Sequence, residues 1–422
     1  MIGAILFGLF GIQLIIGVPI AVALGVATMV CMLVMGVPVA VVAQRIFTGL
    51  DSTSIMAIPF FVLAGNLMSG GGISRRLVDF VNSIVGKVQG GMAYAMVAAC
   101  AFFAALSGSA PATVVAIGSM LYPQIVRLGY PKKRLAGLLA VSGGLGPIIP
   151  PSIIMVVYGT ITNCSISDMF TAGLVAGAMI TVVLATLAIH YSYKEHWPKD
   201  EGSIDLKVFL KSAFKALPAA FLPVLILGGI YSGIQTPTES AATAVIYSFL
   251  VGMFIYREIK PADLYAIIVD SAKSSAMVLF ILGTSTAFSW LFTFSGISRA
   301  LTTSIVALNL TPMLYCFVVA IILLIFGTFL EGAATCILLV PVLWPIAQQL
   351  GINVIHFGMI VSISNVIGTM TPPVAVNLFA ASSVTGLKME QIAKGEMPFL
   401  IGFTLVFFII VFVPWFSTFF LS

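Results

Sequence analysis

Gly143-Gly144-Leu145-Gly146-Pro147-Ile148-Ile149-Pro150-Pro151 interrupts an otherwise apolar stretch, 135–163, and Gly368-Thr369-Met370-Thr371-Pro372-Pro373 interrupts another, 354–386. The two breaks stand in one register. A gapless shift of 222 residues pairs Gly146 with Gly368, Pro150-Pro151 with Pro372-Pro373 and Ser142 with Ser364. It also pairs Ala112-Thr113 with Ala334-Thr335, Leu121 with Leu343, Pro123 with Pro345 and Leu128-Gly129 with Leu350-Gly351. These are ten identities across the forty positions 112–151. Chance similarity between apolar stretches matches leucines and valines; it does not align helix breakers. The chain therefore reads as an internal duplication.

The composition around the breaks names the solvent. Of 422 residues, 60% are hydrophobic and 8% charged, with mean hydropathy +1.16. Soluble domains carry about a quarter charged residues. So few charges cannot cover a water-facing surface, so the lipid bilayer must. A soluble enzyme, a nucleic-acid partner and a disordered scaffold are excluded. The apolar runs are too long for barrel strands, which leaves an all-α polytopic membrane protein. The cysteines Cys31, Cys100, Cys164, Cys316 and Cys336 sit singly and read as packing residues. Met1-Ile2-Gly3-Ala4 lacks the basic start of a cleaved signal, so the first apolar run is kept as a span. No phosphate-binding loop points to ATP.

Apolar runs of about twenty residues mark spans. Residues 1–37 hold two, broken near Gly17-Val18-Pro19, and a third runs 54–70 before a polar arm, 71–88. The cluster Ser107-Gly108-Ser109-Ala110-Pro111 divides a hairpin, 89–127. The broken helix 135–163 and a span at 168–190 follow, then a hydrophilic segment, 191–216. The second half repeats the order: spans 217–233 and 238–256, an amphipathic stretch 258–272, a span 274–295 and an arm 296–309. Its hairpin, 311–349, turns at Thr328-Phe329-Leu330-Glu331-Gly332-Ala333; the broken helix 354–386 and a span at 398–420 close the chain. The expected division is a first repeat, 1–190, a cytoplasmic connector, 191–216, and a second repeat, 217–422.

Charge orients the repeats. With each span crossing once and each hairpin returning to its own side, 17 of the 19 basic residues fall on one face, leaving Arg45 and Arg299 opposite. That is the positive-inside signature. The first hairpin then opens to the cytoplasm and the second outside, so the repeats are inverted and both termini lie outside.

Broken helices inside a membrane need a purpose, because each orphan backbone group there costs several kcal/mol. Inverted repeats with re-entrant hairpins commonly build a carrier site at mid-membrane. Pro111 suits a first helical turn, with Ser109 as its cap, which aims free N–H groups at an anion. Carbonyls near Ser107 suit a small hard cation. Gly146 and Gly368 allow close backbone approach, and the paired prolines free carbonyls. Glu331 reads equally as a protonated or paired structural acid or as a cation ligand; Asn66 and Asn365 are interhelical glue or site residues, with Asn365 preferred for the site. His190, His196 and His356 are scattered at span ends and form no catalytic or metal cluster. With no convergent constellation in the spans, an intramembrane enzyme is disfavoured. A channel is disfavoured too, because it does not need half-helices that close the path from both sides.

The sequence resembles the large, DctM-type membrane subunit of tripartite ATP-independent periplasmic (TRAP) transporters, within the ion-transporter superfamily. The resemblance rests on Ile58-Pro59-Phe60-Phe61-Val62-Leu63-Ala64-Gly65, Ser107-Gly108-Ser109-Ala110-Pro111-Ala112-Thr113 and Gly144-Leu145-Gly146-Pro147-Ile148-Ile149-Pro150-Pro151-Ser152. Thr236-Pro237-Thr238-Glu239 and Thr371-Pro372-Pro373 complete it. It implies an elevator-type, sodium-coupled importer of an organic acid, a carboxylate such as a C4-dicarboxylate or sialic acid. It implies partners too: a periplasmic substrate-binding protein and a small four-helix membrane subunit, here expected as a separate polypeptide in the inner membrane. Matching positions imply sodium near Ser107, Ser109, Gly146 and Pro150 in one half, and near Thr328, Gly332, Gly368 and Thr371 in the other. Substrate contacts are expected at Ser107, Gly108, Ala110, Ser142, Glu331 and Asn365. Thr236 to Glu239 read as structural. The nearest alternative is a stand-alone dicarboxylate carrier of the same superfamily that needs no binding protein.

Overall fold

The computed structural model describes residues 2–85, 88–199, 206–306, 310–372 and 374–421, so Lys87 of the basic face and Pro373 of the second break lie outside the described residues. Among the described residues there is helix and no strand, and seven helices are long and apolar enough to cross a membrane. Helices pair every backbone group within themselves, which hydrocarbon demands.

α1 (Ile2–Ile15) and α2 (Ile20–Val34) part where Gly17 takes a positive φ ahead of Pro19. α3 (Ala40–Leu50), α4 (Ala57–Gly70) and the arm α5 (Ile73–Val85) follow. α6 (Gly91–Ser107) and α7 (Ala110–Arg127) form the first hairpin, and α8 (Lys132–Gly143) and α9 (Ile153–Thr162) the first broken helix. α10 (Ile166–Lys194) closes this half. The second half holds α11 (Leu206–Tyr231), α12 (Pro237–Leu250), α13 (Pro261–Phe294) and the arm α14 (Ile297–Val306). Its hairpin is α15 (Pro312–Gly327) with α16 (Gly332–Gln349), and its broken helix is α17 (Val354–Met370) with α18 (Val376–Thr385). α19 (Met389–Phe412) and the short α20 (Trp415–Thr418) end the described chain.

The register read in the sequence governs the helices. Adding 222 to the bounds of α7, 110 and 127, gives 332 and 349, the bounds of α16. Adding it to 132 gives 354, where α17 begins; α9 and α10 map onto α18 and α19 to within one residue at their starts. Three expectations change. The amphipathic stretch and the span expected at 258–272 and 274–295 are one helix, α13: no proline or glycine stands at the expected boundary, and Ser271 bonds back to the Ile267 carbonyl within the helix. In the first half the equivalent run is cut by Asp51-Ser52-Thr53, whose side chains favour local turns over helix. The segment at 191–216 is largely helical, since α10 reaches Lys194 and α11 starts at Leu206. The last span begins at Met389 and not near 398, because Pro398 is accommodated inside α19.

The inversion is visible in how α8 and its equivalent α17 meet α19. α8 begins beside Gly395: Arg134 Nη1 donates to the Gly395 carbonyl at 3.2 Å, and a Cβ at Gly395 would overlap the Lys133 carbonyl. α17 begins at the other end, where His356 Nδ1 lies 3.5 Å from Ser417 Oγ. The 17 residues from 395 to 412 separate the two by about 25 Å at about 1.5 Å per residue. Equivalent helices start at opposite ends of one span. Arg134 also pairs with Glu195 at 2.9 Å and lies over the Tyr191 ring, which fastens the start of α8 to the end of α10.

α7 packs on α18 and α9 on α16, so each hairpin leans on the second half-helix of the other repeat. α2, α3 and α4 pack on α13, and α4 also on α12, as a separate framework. Asn66 of α4 donates to Ser271 of α13 at 2.8 Å and is interhelical glue. Thr236 and Glu239 form the capping box of α12, their backbone and side chains bonding reciprocally at 2.7 and 3.3 Å.

Replacing Gly395 by leucine should force α8 from α19. Such overpacking costs about 1–3 kcal/mol. The apparent melting temperature in detergent should fall by roughly 5 °C, read by tryptophan fluorescence. An unchanged melt would mean that this contact does not hold the helices.

Candidate functional site

The first hairpin turns through two residues. Gly108 ends α6 at φ 60, and its Cα sits so close to the Pro151 carbonyl that a Cβ would stand 2.8 Å from that oxygen. Only glycine meets both conditions cheaply. Ser109 then occupies the N-cap position of α7, but its hydroxyl makes no capping bond, contrary to the expected cap. The turn is closed differently: Thr113 Oγ1 donates to the Ser109 carbonyl at 2.8 Å and lies 2.9 Å from the Ser107 hydroxyl. Pro111 follows in the first turn, and the Ala110 and Ala112 N–H groups have no backbone acceptor among the described residues. A cap by Ser109 would have consumed such donors; its absence leaves them for a ligand.

The second hairpin repeats the device. Glu331 holds the N-cap position of α16 without capping it, and Thr335 Oγ1 donates back to the Glu331 carbonyl at 3.1 Å. Thr113 and Thr335 are register partners. Their identity was visible in the sequence, but their role as turn locks was not, because it depends on a carbonyl four residues back.

The breaks press on the tips. A Cβ at Gly146 would lie 2.6 Å from the Ser109 carbonyl oxygen, and one at Gly368 would lie 2.5 Å from the Gly327 Cα. Each break glycine therefore meets the hairpin backbone of its own repeat. The Thr328 carbonyl accepts from the Val374 N–H at 3.3 Å, and Thr371 Oγ1 donates to Ile367 within α17. Ser152 caps α9 and donates to the Pro147 carbonyl, which ties off the first break.

Between the tips lies a cavity of about 200 Å³. Gly108, Ser109, Ala110, Glu331, Gly332 and Asn365 line it, with Pro147, Ile154, Thr369 and Val278. Asn365 is fully buried, and neither its Oδ1 nor its Nδ2 has a hydrogen-bond partner. An unpaired buried amide costs about 1–3 kcal/mol, so an amide kept in this state points to a missing partner. Glu331 has no ion-pair partner among the described residues. Not every expected residue lines the cavity. Ser107 and Gly146 support the first tip from outside it, and Thr328, Gly368 and Thr371 stand around the second. Pro150 lies in the break behind Gly146, and Ser142 is buried in α8 with its hydroxyl unpaired, away from the lining. Thr369, Pro147 and Val278 were not anticipated. Thr369 falls within the quoted break, but Val278 comes from the framework helix α13, and no motif marks it.

The model of the tripartite ATP-independent periplasmic transporter DctM component matches residues 7–416. The chain belongs to this family. It is 40% identical over 88% of its length to the C4-dicarboxylate TRAP transporter large permease protein DctM of Pseudomonas aeruginosa, covering 87% of that protein. It is also 40% identical, over 99% of its length, to the isethionate TRAP transporter permease protein DctMQ of Oleidesulfovibrio alaskensis, and spans 66% of that longer relative. The fold is shared with the YdaH transporter of Alcanivorax borkumensis, at TM-score 0.66 and 14% identity, over 90% of this chain and 88% of that one. The DctM-family chain is thus a multi-pass membrane protein and a TRAP transporter large permease.

Asn365→Leu separates a structural amide from a ligand contact. It should raise the melting temperature of the ligand-free protein by a few degrees, because an orphaned polar group is removed. Uptake by the same variant should fall at least about tenfold, a loss of about 1.4 kcal/mol. A structural amide would lose stability and uptake together.

Proposed function

We propose that the chain imports an organic acid across the inner membrane by sodium symport, with the acid delivered by a periplasmic binding protein. A small four-helix membrane subunit braces the framework, and both termini face the periplasm. The hairpins and broken helices carry the site against the framework in an elevator movement. The observation that supports this best is the meeting of two uncapped hairpin tips over the unpaired Asn365. Free N–H groups at the starts of α7 and α16 favour a carboxylate or sulfonate, and the family's relatives carry such acids in their names.

Sodium belongs to the outer rims of the same tips. Ser107, Ser109, Gly146 and Pro150 are one expected shell, and Thr328, Gly332, Gly368 and Thr371 the other. Hydroxyls and backbone carbonyls are suitable hard ligands for it, and the close glycine contacts make tip geometry sensitive to what sits there. A cation that completes a tip would order the N–H groups that hold the anion. Inward movement of one net positive charge gains about 2.3 kcal/mol per 100 mV of inside-negative potential. Two or more sodium ions per monoanion would therefore drive uptake electrically.

The test is uptake into proteoliposomes holding the chain and its small subunit, with the cognate binding protein, an inward sodium gradient and a panel of labelled organic acids. Uptake should require both sodium and the binding protein. Ser107→Ala and Thr328→Ala should each weaken sodium dependence. Uptake by the chain alone would replace the tripartite reading with a stand-alone carrier, and full sodium dependence in both variants would remove these ligand assignments.

A further inference from the structure

A second, larger cavity of about 690 Å³ is lined further along by three of the helices that line the candidate site. α9 gives Ile154 to the site and Thr160 to this cavity; α16 gives Gly332 and then Ile337; α13 gives Val278 and then Ser289. The six residues between 154 and 160 place the step at about 9 Å. Ser285 of α13 donates to the Ile337 carbonyl of α16 at 2.8 Å, a bond that ties framework to hairpin at the boundary of this cavity. The far wall is α3, which brings Arg45, one of the two basic residues that the charge distribution leaves on the outer face. The second cavity therefore lies on the outer side of the site.

The charge on its lining is basic, with Asp168 as the acidic neighbour of Cys164. Arg45 is the one basic side chain that lines it, and no acidic side chain does. The guanidinium lies 4.8 Å from the Trp290 ring centroid, its Nε is buried without a hydrogen-bond partner, and it makes no ion pair among the described residues. The indole holds the cation in place without neutralising it. Asn163 and Ser52 add polar groups to the lining. A planar, uncompensated guanidinium with donors beside it, in a partly enclosed cavity, fits the oxygens of a carboxylate or sulfonate and repels cations. We propose that this cavity is an outer waiting site for the organic anion, with Arg45 as the group that holds its acid head before the anion moves inward to the hairpin tips. The proposal rests on the import reading, and it adds a residue outside the tips that discriminates by charge.

Cys164 lines this cavity and is half-buried, whereas the other four cysteines are buried, so it serves as a native reporter. The full chain with its small subunit, in proteoliposomes, is labelled from outside with sulfonatoethyl methanethiosulfonate, itself a small organic anion, or with its trimethylammonioethyl counterpart. Rates are corrected for each reagent's reaction with free thiol. The anionic reagent should react at least about tenfold faster, the lower end of electrostatic focusing in clefts. Its rate should also saturate with concentration, as binding before reaction requires. Arg45→Gln should abolish the preference and make the rate linear, and Arg45→Lys should keep most of the preference. An unchanged ratio in Arg45→Gln would overturn the proposal, as would the absence of labelling at both Cys164 and a Thr48→Cys reporter. Intact sodium-driven uptake with an unchanged ratio would remove the waiting site alone. A retained anion preference without sodium-driven uptake would remove the import reading alone.

Discussion

Backbone N–H and C=O groups find no partners in hydrocarbon, and this constraint shapes the molecule. A helix satisfies it automatically; a break does not. The chain breaks its helices in the middle of two segments and at two hairpin tips, and each break is covered by another piece of backbone. Gly146 lies against Ser109, Gly368 against Gly327, and Gly108 against the Pro151 carbonyl. Side chains would hold these segments apart, so the glycines are what allow one break to shelter another. Among the groups left without partners are the first-turn N–H groups of α7 and α16 and the amide of Asn365. These are polar groups that the fold does not satisfy by itself.

Duplication explains why there are two of everything. The second hairpin arm of one repeat leans on the second half-helix of the other, α7 on α18 and α16 on α9. Such crossed packing makes the four broken elements one body. The framework helices α2, α3, α4, α12 and α13 meet it through apolar packing, with Val278, Ile281 and Leu282 of α13 in one core with Ile337 of α16, and through the bond from Ser285 to Ile337. Ser285 and Ile337 mark one point where the broken elements and the framework meet.

Much of this was legible in the residues because helix breakers are rare and positional. The register built on Gly146, Pro150 and their partners relates helix starts as far away as α10 and α19, although the last span, expected near 398, begins at Met389. The continuous α13 was not legible. Its amphipathic start and apolar end differ in solvent but not in backbone, and composition alone suggested two elements. At the site, Gly108, Ala110, Glu331, Gly332 and Asn365 could be picked out as polar or small residues at a break. Ser142 could not be rejected, because a buried hydroxyl on α8 looks the same in sequence as one that faces a cavity. Arg45 was set aside as an outer-face charge. Its place beside Trp290, 245 positions later in the chain, is a product of tertiary packing.

The central claim is that the hairpin body moves against the framework during transport. Cysteines introduced at Ser285 and Ile337, in a chain whose five native cysteines are replaced by alanine, would report on it directly. Oxidative cross-linking of this pair should abolish uptake in proteoliposomes, and a reductant should restore it. Undiminished uptake with the cross-link fully formed would contradict the account.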